Sequence, residues 1–148
     1  MVRAFDDHKL EIRFHDNVYI RLVIRGRITQ IYGESATGKS LLGYVIKATE
    51  NYNMNNHDID YDVSNIMCID SKDKIDAIKG MTGGLIIIDR ADAFLSQEDV
   101  SYIRNDKNNT YLIMSRCNLD LGISPNYYAE LVNNDGVIEL KYEYSVEG

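Results

Sequence analysis

The stretch Gly33-Glu34-Ser35-Ala36-Thr37-Gly38-Lys39-Ser40 matches the pattern G-x-x-x-x-G-K-[ST] at every defined position, and the chain changes periodicity across it. RITQIYG before it reads as a short strand, whereas Leu41, Leu42, Val45, Ile46 and Ala48 after it recur at helical spacing. A strand that runs through a glycine loop directly into a helix leaves few options for the chain around it. Gly33 and Gly38 let the backbone turn without a Cβ clash, so the N–H groups from Ser35 through Ala36 and Thr37 to Leu41 can point at phosphate oxygens. The helix adds the positive end of its dipole. Lys39 supplies a point charge to the β- and γ-phosphates, and the hydroxyl of Ser40 is placed to ligate Mg²⁺. The expected cofactors are ATP, or another nucleoside triphosphate, and Mg²⁺, bound along residues 33–41.

A second element is Leu85-Ile86-Ile87-Ile88-Asp89, four apolar residues that bury a strand and then a carboxylate at its C-terminal edge. Ligands bind at that edge in open α/β sheets. An Asp ending an apolar strand also serves as a helix cap or loop residue. Beside a phosphate loop 50 residues earlier, Asp89 is expected to hold the metal, directly or through a water. Many ATPases of this kind place a Glu next to orient the attacking water, and here that position is Arg90. Asp92, Asp70 and Glu34 are the substitutes, each equally readable as a solvated or capping carboxylate. Ser115 and Arg116 end the run TYLIMSR, where they either face the γ-phosphate and its water or form an ordinary strand end. Lys39, Asp89, Asp92 and Ser115 thus make the expected catalytic set, with Arg90 and Arg104 as candidate arginine fingers.

Elsewhere KLEIRF, Asp16-Asn17 and VYIRLVI read as a β-hairpin, broken by Arg25-Gly26. NYNMNNHDID reads as an exposed loop in which His57 is solvated. A strand at VSNIMCID, a short helix at KDKIDAIKG, a helix in SQEDVSYIRND capped by Ser96, and the strand TYLIMSR give a β-α-β-α-β alternation. YYAELVNND and VIELKYEYS, joined at Asp135-Gly136, close the chain as a second hairpin. The fold class this predicts is α/β: a three-layer sandwich with a mostly parallel central sheet and hairpins at both ends. Residues 1–148 are expected to form one domain.

Composition narrows the partners. A net charge of −7 without a Lys/Arg stripe gives no footprint for a nucleic-acid backbone. No segment has the roughly 20 apolar residues that span a bilayer, and the N-terminus lacks a signal-peptide core, so a cytoplasmic protein is expected. Cys68 and Cys117 lie in apolar runs with no zinc-ligand spacing and read as buried free thiols.

HDNVYIRLVIRGRITQIYGESATGKSLL resembles the start of an ABC-type ATPase core, and YAELVNNDGVIEL resembles the hairpin that follows that core's last strand. With LIIIDRAD between them, the chain looks like a pared-down additional-strand P-loop NTPase, between the ABC and RecA-like types. The resemblance implies phosphate binding by Gly33 through Ser40, magnesium at Ser40 and Asp89, and adenine stacking on Phe14 or Phe5. The chain departs from the family in having no LSGGQ signature, no helical subdomain between Asp70 and Gly84, no Glu at position 90 and no switch His in TYLIMSR.

Three functions follow. The first is a slow or partner-dependent ATPase whose nucleotide state controls assembly, with itself or with a larger protein. The second is a small-molecule or nucleotide kinase. The third is a non-catalytic nucleotide-binding module stabilised by its ligand. A GTPase is disfavoured by the absence of N-K-x-D, of which SKDK at Ser71 to Lys74 is a superficial echo.

Overall fold

The computed structural model describes residues 2–15, 17–32, 39–55 and 61–143. Gly33 to Gly38, and with them Glu34, lie outside the described residues, as do Asp16 and His57. In chain order the elements are β1 (Val2–Arg3), β2 (Phe5–Asp6), β3 (Lys9–His15), β4 (Val18–Val23), β5 (Ile28–Tyr32), α1 (Lys39–Asn55), β6 (Tyr61–Asp62) and β7 (Ile66–Ile69). They continue with β8 (Leu85–Ile88), α2 (Gln97–Asn105), β9 (Thr110–Ser115), β10 (Tyr128–Asn134) and β11 (Val137–Tyr142). Short 3₁₀ segments occupy Lys72–Gly80, Ala91–Ala93 and Pro125–Tyr127.

Side-chain alternation decides which strands are covered once and which twice. In β4, Ile20 and Leu22 are buried while Arg21 and Val23 face solvent. In β8 all four residues are buried, as a strand covered on both faces requires. Nine strands join in the order β2-β3-β4-β11-β10-β5-β9-β8-β7. The run β10-β5-β9-β8-β7 is parallel, and so is the β11–β4 pair. The pairs β10–β11, β3–β4 and β2–β3 are antiparallel. At the β10–β11 turn Asp135 and Gly136 both have positive φ, 53° and 91°, and a Cβ at position 136 would meet the Asn17 carbonyl at 1.9 Å.

The two ends of this sheet are drawn together. β1, which leads into β2, pairs with β6, which leads into β7. The Ala4 N–H donates to the Asp62 carbonyl at 3.0 Å, and Asn65 Nδ2 donates to the Phe5 carbonyl at 3.0 Å. The sheet is therefore nearly closed, like a barrel, and α1 fills its concave side. Leu42, Val45 and Ile46 of α1 pack in one cluster with Leu10, Ile20 and Leu22 of the hairpin and with Ile31, Leu85, Ile87 and Leu112 of the parallel strands. On the convex side of the parallel strands, Ile28, Ile86, Ile88, Tyr111 and Ile113 are covered by α2, by Ile75 and Ile78 of a 3₁₀ segment, and by Leu121.

This architecture corrects the expected fold class. The sheet is mixed, with three of its eight junctions antiparallel, and it curls on itself; it is not the mostly parallel middle layer of a three-layer sandwich. Among the described residues there are two α-helices. The connection from β7 to β8 holds only a 3₁₀ segment, and that from β9 to β10 holds no α-helix. Too few crossover helices exist to cover both faces of an open sheet, and curling lets the sheet cover itself. The resemblance to a pared-down ABC-type or RecA-like ATPase core, and the assignment to the additional-strand P-loop NTPases, fall with the sandwich they implied. Among the described residues no helix is long and apolar enough to cross a membrane.

Two polar devices fix α2. Ser96 Oγ accepts the Asp99 N–H at 3.1 Å, and the Asp99 carboxylate accepts the Ser96 N–H at 3.0 Å, closing a capping box. At the other end Arg27 donates to the carbonyls of Ile103 and Arg104, each at 2.7 Å, and to that of Asp106, supplying partners that a helix end lacks. The Asp106 carboxylate accepts from Tyr111 Oη at 2.6 Å, Asn109 Nδ2 at 2.8 Å and the Asn108 N–H at 2.9 Å. Burial works to raise its pKa, but the hydrogen bonds from Tyr111, Asn109 and Asn108 outweigh it and hold the carboxyl below its ordinary value. Such a group stabilises the fold fully above its unfolded pKa of about 4, and the contribution is lost as pH falls through the lower folded pKa. Asp106→Asn is expected to cost about 1–3 kcal/mol at pH 7. The Tm gap to wild type should narrow as the pH is taken below about 4, and a gap unchanged from pH 7 to pH 3 would contradict this role.

Candidate functional site

The register of the parallel strands brings their C-terminal ends to one edge. Ile69 pairs with Ile88, Ile88 with Ile113, and Tyr32 with Ser115. Asp70, Asp89 and Arg116 follow directly on β7, β8 and β9, and α1 begins at Lys39 after β5. Between α1 and this edge lies a groove of about 480 Å³. Gly43, Tyr44, Lys47 and Glu50 line it from the helix, and Cys68, Asp70, Lys74 and Asp89 line it from the strands and the segment after β7.

The carboxylates at this edge differ in what holds them. Asp70 accepts from Lys74 Nζ at 2.9 Å, and that hydrogen bond keeps its carboxyl below the ordinary value. Asp92 accepts the Arg116 N–H at 3.1 Å and Arg116 Nε at 3.4 Å. The backbone bond from Arg116 is the main reason its carboxyl is also held low. Asp92 thereby ties the turn after β8 to the end of β9. Asp89 is anchored through its backbone, whose N–H donates to the Ile69 carbonyl at 2.8 Å. Its carboxylate is partly exposed in the groove and, among the described residues, takes part in no hydrogen bond or ion pair.

Ser115 is 2% exposed. Its hydroxyl donates to the Cys117 carbonyl at 2.7 Å and accepts from Gln30 Nε2 at 2.9 Å, so its one proton is committed inside the fold. Arg104 pairs with Asp120 at 3.3 Å and Arg116 with Asp92. Phe5 is buried in the core and offers no face to a base, while Phe14 meets Tyr44 of α1 edge-on with centroids 5.9 Å apart. For Lys39 and Ser40 the backbone alone is described, as the first turn of α1, and Leu41 packs against the core.

Both cysteines are free and exposed, which corrects the reading of buried thiols. Cys68 lies on the edge strand β7 and lines the groove from that strand. Although that side chain is open on one side, burial against the groove pushes its thiol up to about 12, with Glu50 and Asp70 adding to the effect.

Sequence patterns missed the groove-facing charges Lys47 and Glu50 and the buried Gln30. Helical spacing was the available signal for Lys47, seven residues after Ser40 on the same face. Gln30, fully buried in β5, bonds Ser115 and, at 3.3 Å, the Cys117 carbonyl, and no local pattern reveals those partners.

Comparison of the chain with protein-family models, with curated proteins and with solved structures yields no match. The geometry of the edge therefore carries the functional argument by itself. Ser115→Ala removes a bridging hydroxyl from a buried polar cluster and is expected to cost about 1–3 kcal/mol in urea unfolding. A loss under about 0.5 kcal/mol, the range of ordinary surface changes, would show that the cluster does not stabilise the fold.

Proposed function

We propose that this chain binds a magnesium nucleoside triphosphate, ATP first among them, and cleaves it slowly or only with a partner. The observation that carries the reading is the free carboxylate of Asp89 in a groove shared with α1. Position 40 stands three residues ahead of Gly43 and seven ahead of Lys47, so helical spacing puts it on the face that lines this groove. Ser40 and Asp89 are the pair that would hold Mg²⁺. Among the described residues no group of three or more His, Cys, Asp or Glu is arranged as a metal site. That suits Mg²⁺, which is commonly held by one or two protein oxygens together with phosphate and water. The ion would neutralise charge on the β- and γ-phosphate oxygens.

Within the chain, Gly33 to Leu41 supply N–H donors and the Lys39 charge to the phosphates. Of the carboxylates that remain for orienting a water, Asp70 and Asp92 are already paired, Glu34 lies outside the described residues, and Arg90 follows Asp89. A nucleotide that is held and not quickly cut can control assembly with a second copy or a larger protein. The size of the groove, about 480 Å³ with Lys47, Glu50, Asp70 and Lys74 around it, favours a second reading as a kinase with a small polar acceptor. Transfer of labelled γ-phosphate to a metabolite separates that reading from release of inorganic phosphate.

Isothermal titration with Mg-ATP, Mg-ADP and Mg-GTP tests the binding. Lys39→Ala and Asp89→Asn are each expected to weaken Mg-ATP by about 10- to 100-fold, the loss of a charge-assisted contact. EDTA should abolish the effect of the Asp89 substitution, because that residue acts through the ion. Failure of the wild-type chain to bind any of the three at millimolar concentration would end the proposal.

A further inference from the structure

A second cavity of about 430 Å³ lies against α1 on the side turned away from the groove. Ile12 and Phe14 of β3, Ala48, Thr49 and Tyr52 of α1, and Tyr61 of β6 line it. Helical spacing puts Ala48, Thr49 and Tyr52 about half a turn round from Gly43, Lys47 and Glu50, and no described residue lines both cavities.

The walls of this cleft are aromatic for local reasons. Arg13 pairs with Tyr19 and His15 with Val18, so Phe14 is an extra residue in the β3–β4 ladder. A bulge of this kind re-aims a side chain, and the Phe14 ring meets Tyr44 of α1 edge-on. Tyr44, Ala48 and Tyr52 recur at four-residue spacing and form one stripe along the helix. The two tyrosines are 62% and 51% exposed, which is high for large rings, and the alanine between them leaves a notch beside Phe14.

Tyr61 closes the far end and is held at two points. Asn53 Nδ2 donates to its carbonyl at 2.8 Å, and the Arg13 N–H donates to its Oη at 3.1 Å. The phenol keeps one proton, which goes to no acceptor among the described residues. The described lining includes no carboxylate, although the chain carries a net charge of −7, so the cleft has nothing to draw in an ammonium or a metal ion. Aromatic faces instead suit a flat ring, and the spare phenol proton suits an acceptor on it.

We infer that this cleft binds a planar aromatic small molecule bearing a carbonyl oxygen, as a ligand separate from the nucleotide. The ring lies over Ala48 between Tyr52 and Phe14, and the carbonyl accepts the Tyr61 hydroxyl proton. A cavity of this volume, mostly apolar with one placed donor, is of the kind that holds small ligands. The site stands whether or not the opposite side of α1 holds a triphosphate.

The full chain is titrated with indanone, a flat bicycle with one carbonyl, and followed through its backbone amides by NMR. Indane lacks the carbonyl and cyclohexanone lacks the flat ring. Indanone is expected to shift the Ala48 and Tyr52 amides with a Kd at or below about 1 mM, and both controls to bind at least about tenfold more weakly. Ala48→Leu fills the notch with a good helix former and should weaken indanone by more than about tenfold. Tyr61→Phe removes the donor and keeps the ring, so it should cost about three- to tenfold whatever Ala48→Leu does to the fold. Absence of indanone binding, equal binding of the controls, or a Kd unchanged in either folded variant overturns the site. Displacement of indanone by Mg-ATP overturns its separateness and gives the cleft to the nucleotide's base. Failure of the chain to bind Mg-ATP ends the nucleotide reading, and indanone binding then supports this site alone.

Discussion

The apolar stripe of α1 inside the curled sheet sets the position of everything at the candidate site. Leu42, Val45 and Ile46 have no exposed surface. Full burial of such a side chain stabilises by about 1.5–3 kcal/mol, so the three together approach the net stability of a small domain. The helix cannot slide or roll by a turn without unfolding the protein. Its first residue, Lys39, therefore keeps a fixed relation to the ends of β5 and β8. Closure of the sheet matters for the same reason: Leu10, Ile20 and Leu22 of the hairpin contact the helix only because β1 and β6 draw the two edges together.

The convex side is fixed by polar contacts as much as by apolar ones. Arg27 binds the last carbonyls of α2 from the residue just before β5, and Asp106 binds Tyr111 at the second position of β9. The helix is thus tied to both β5 and β9. Asp92 and Arg116 then join the turns after β8 and β9, leaving Asp89 between two anchored segments. On the proposed reading, such support sets the geometry of the carboxylate before an ion arrives.

How much of this was legible in the sequence depends on the range of the contact. The Ile run of β8, the Ser96 cap and the Asp135-Gly136 turn are local signals, and the chain follows them. Strand direction is not local. β11 lies parallel to β4 with most of the chain between them, and no alternation of side chains records which neighbour a strand will take. An α/β alternation was read as a sandwich because the helix-like run KDKIDAIKG counted as a crossover helix, whereas it forms a 3₁₀ segment. The cysteine reading failed for a related reason. VSNIMCID is apolar enough for a central strand, but β7 stands at the edge of the sheet and Cys68 lines the open groove beside α1. The G-x-x-x-x-G-K-[ST] pattern is the most specific signal in the sequence, and its residues 33–38 lie outside the described residues.

What the structure adds to the sequence is a way to rank residues of the same type by their partners. Asp70, Asp89 and Asp92 are three aspartates near one edge whose partners differ. Lys74 holds the first, Arg116 holds the third, and the second is left open toward α1. The same ranking separates Arg90 from Arg104 and Arg116. Arg90 follows Asp89 directly, and its left-handed backbone turns the chain out of β8 into the 3₁₀ segment Ala91–Ala93. On the proposed reading, this edge retains a magnesium-bound triphosphate, and cleavage is slow or waits on a partner.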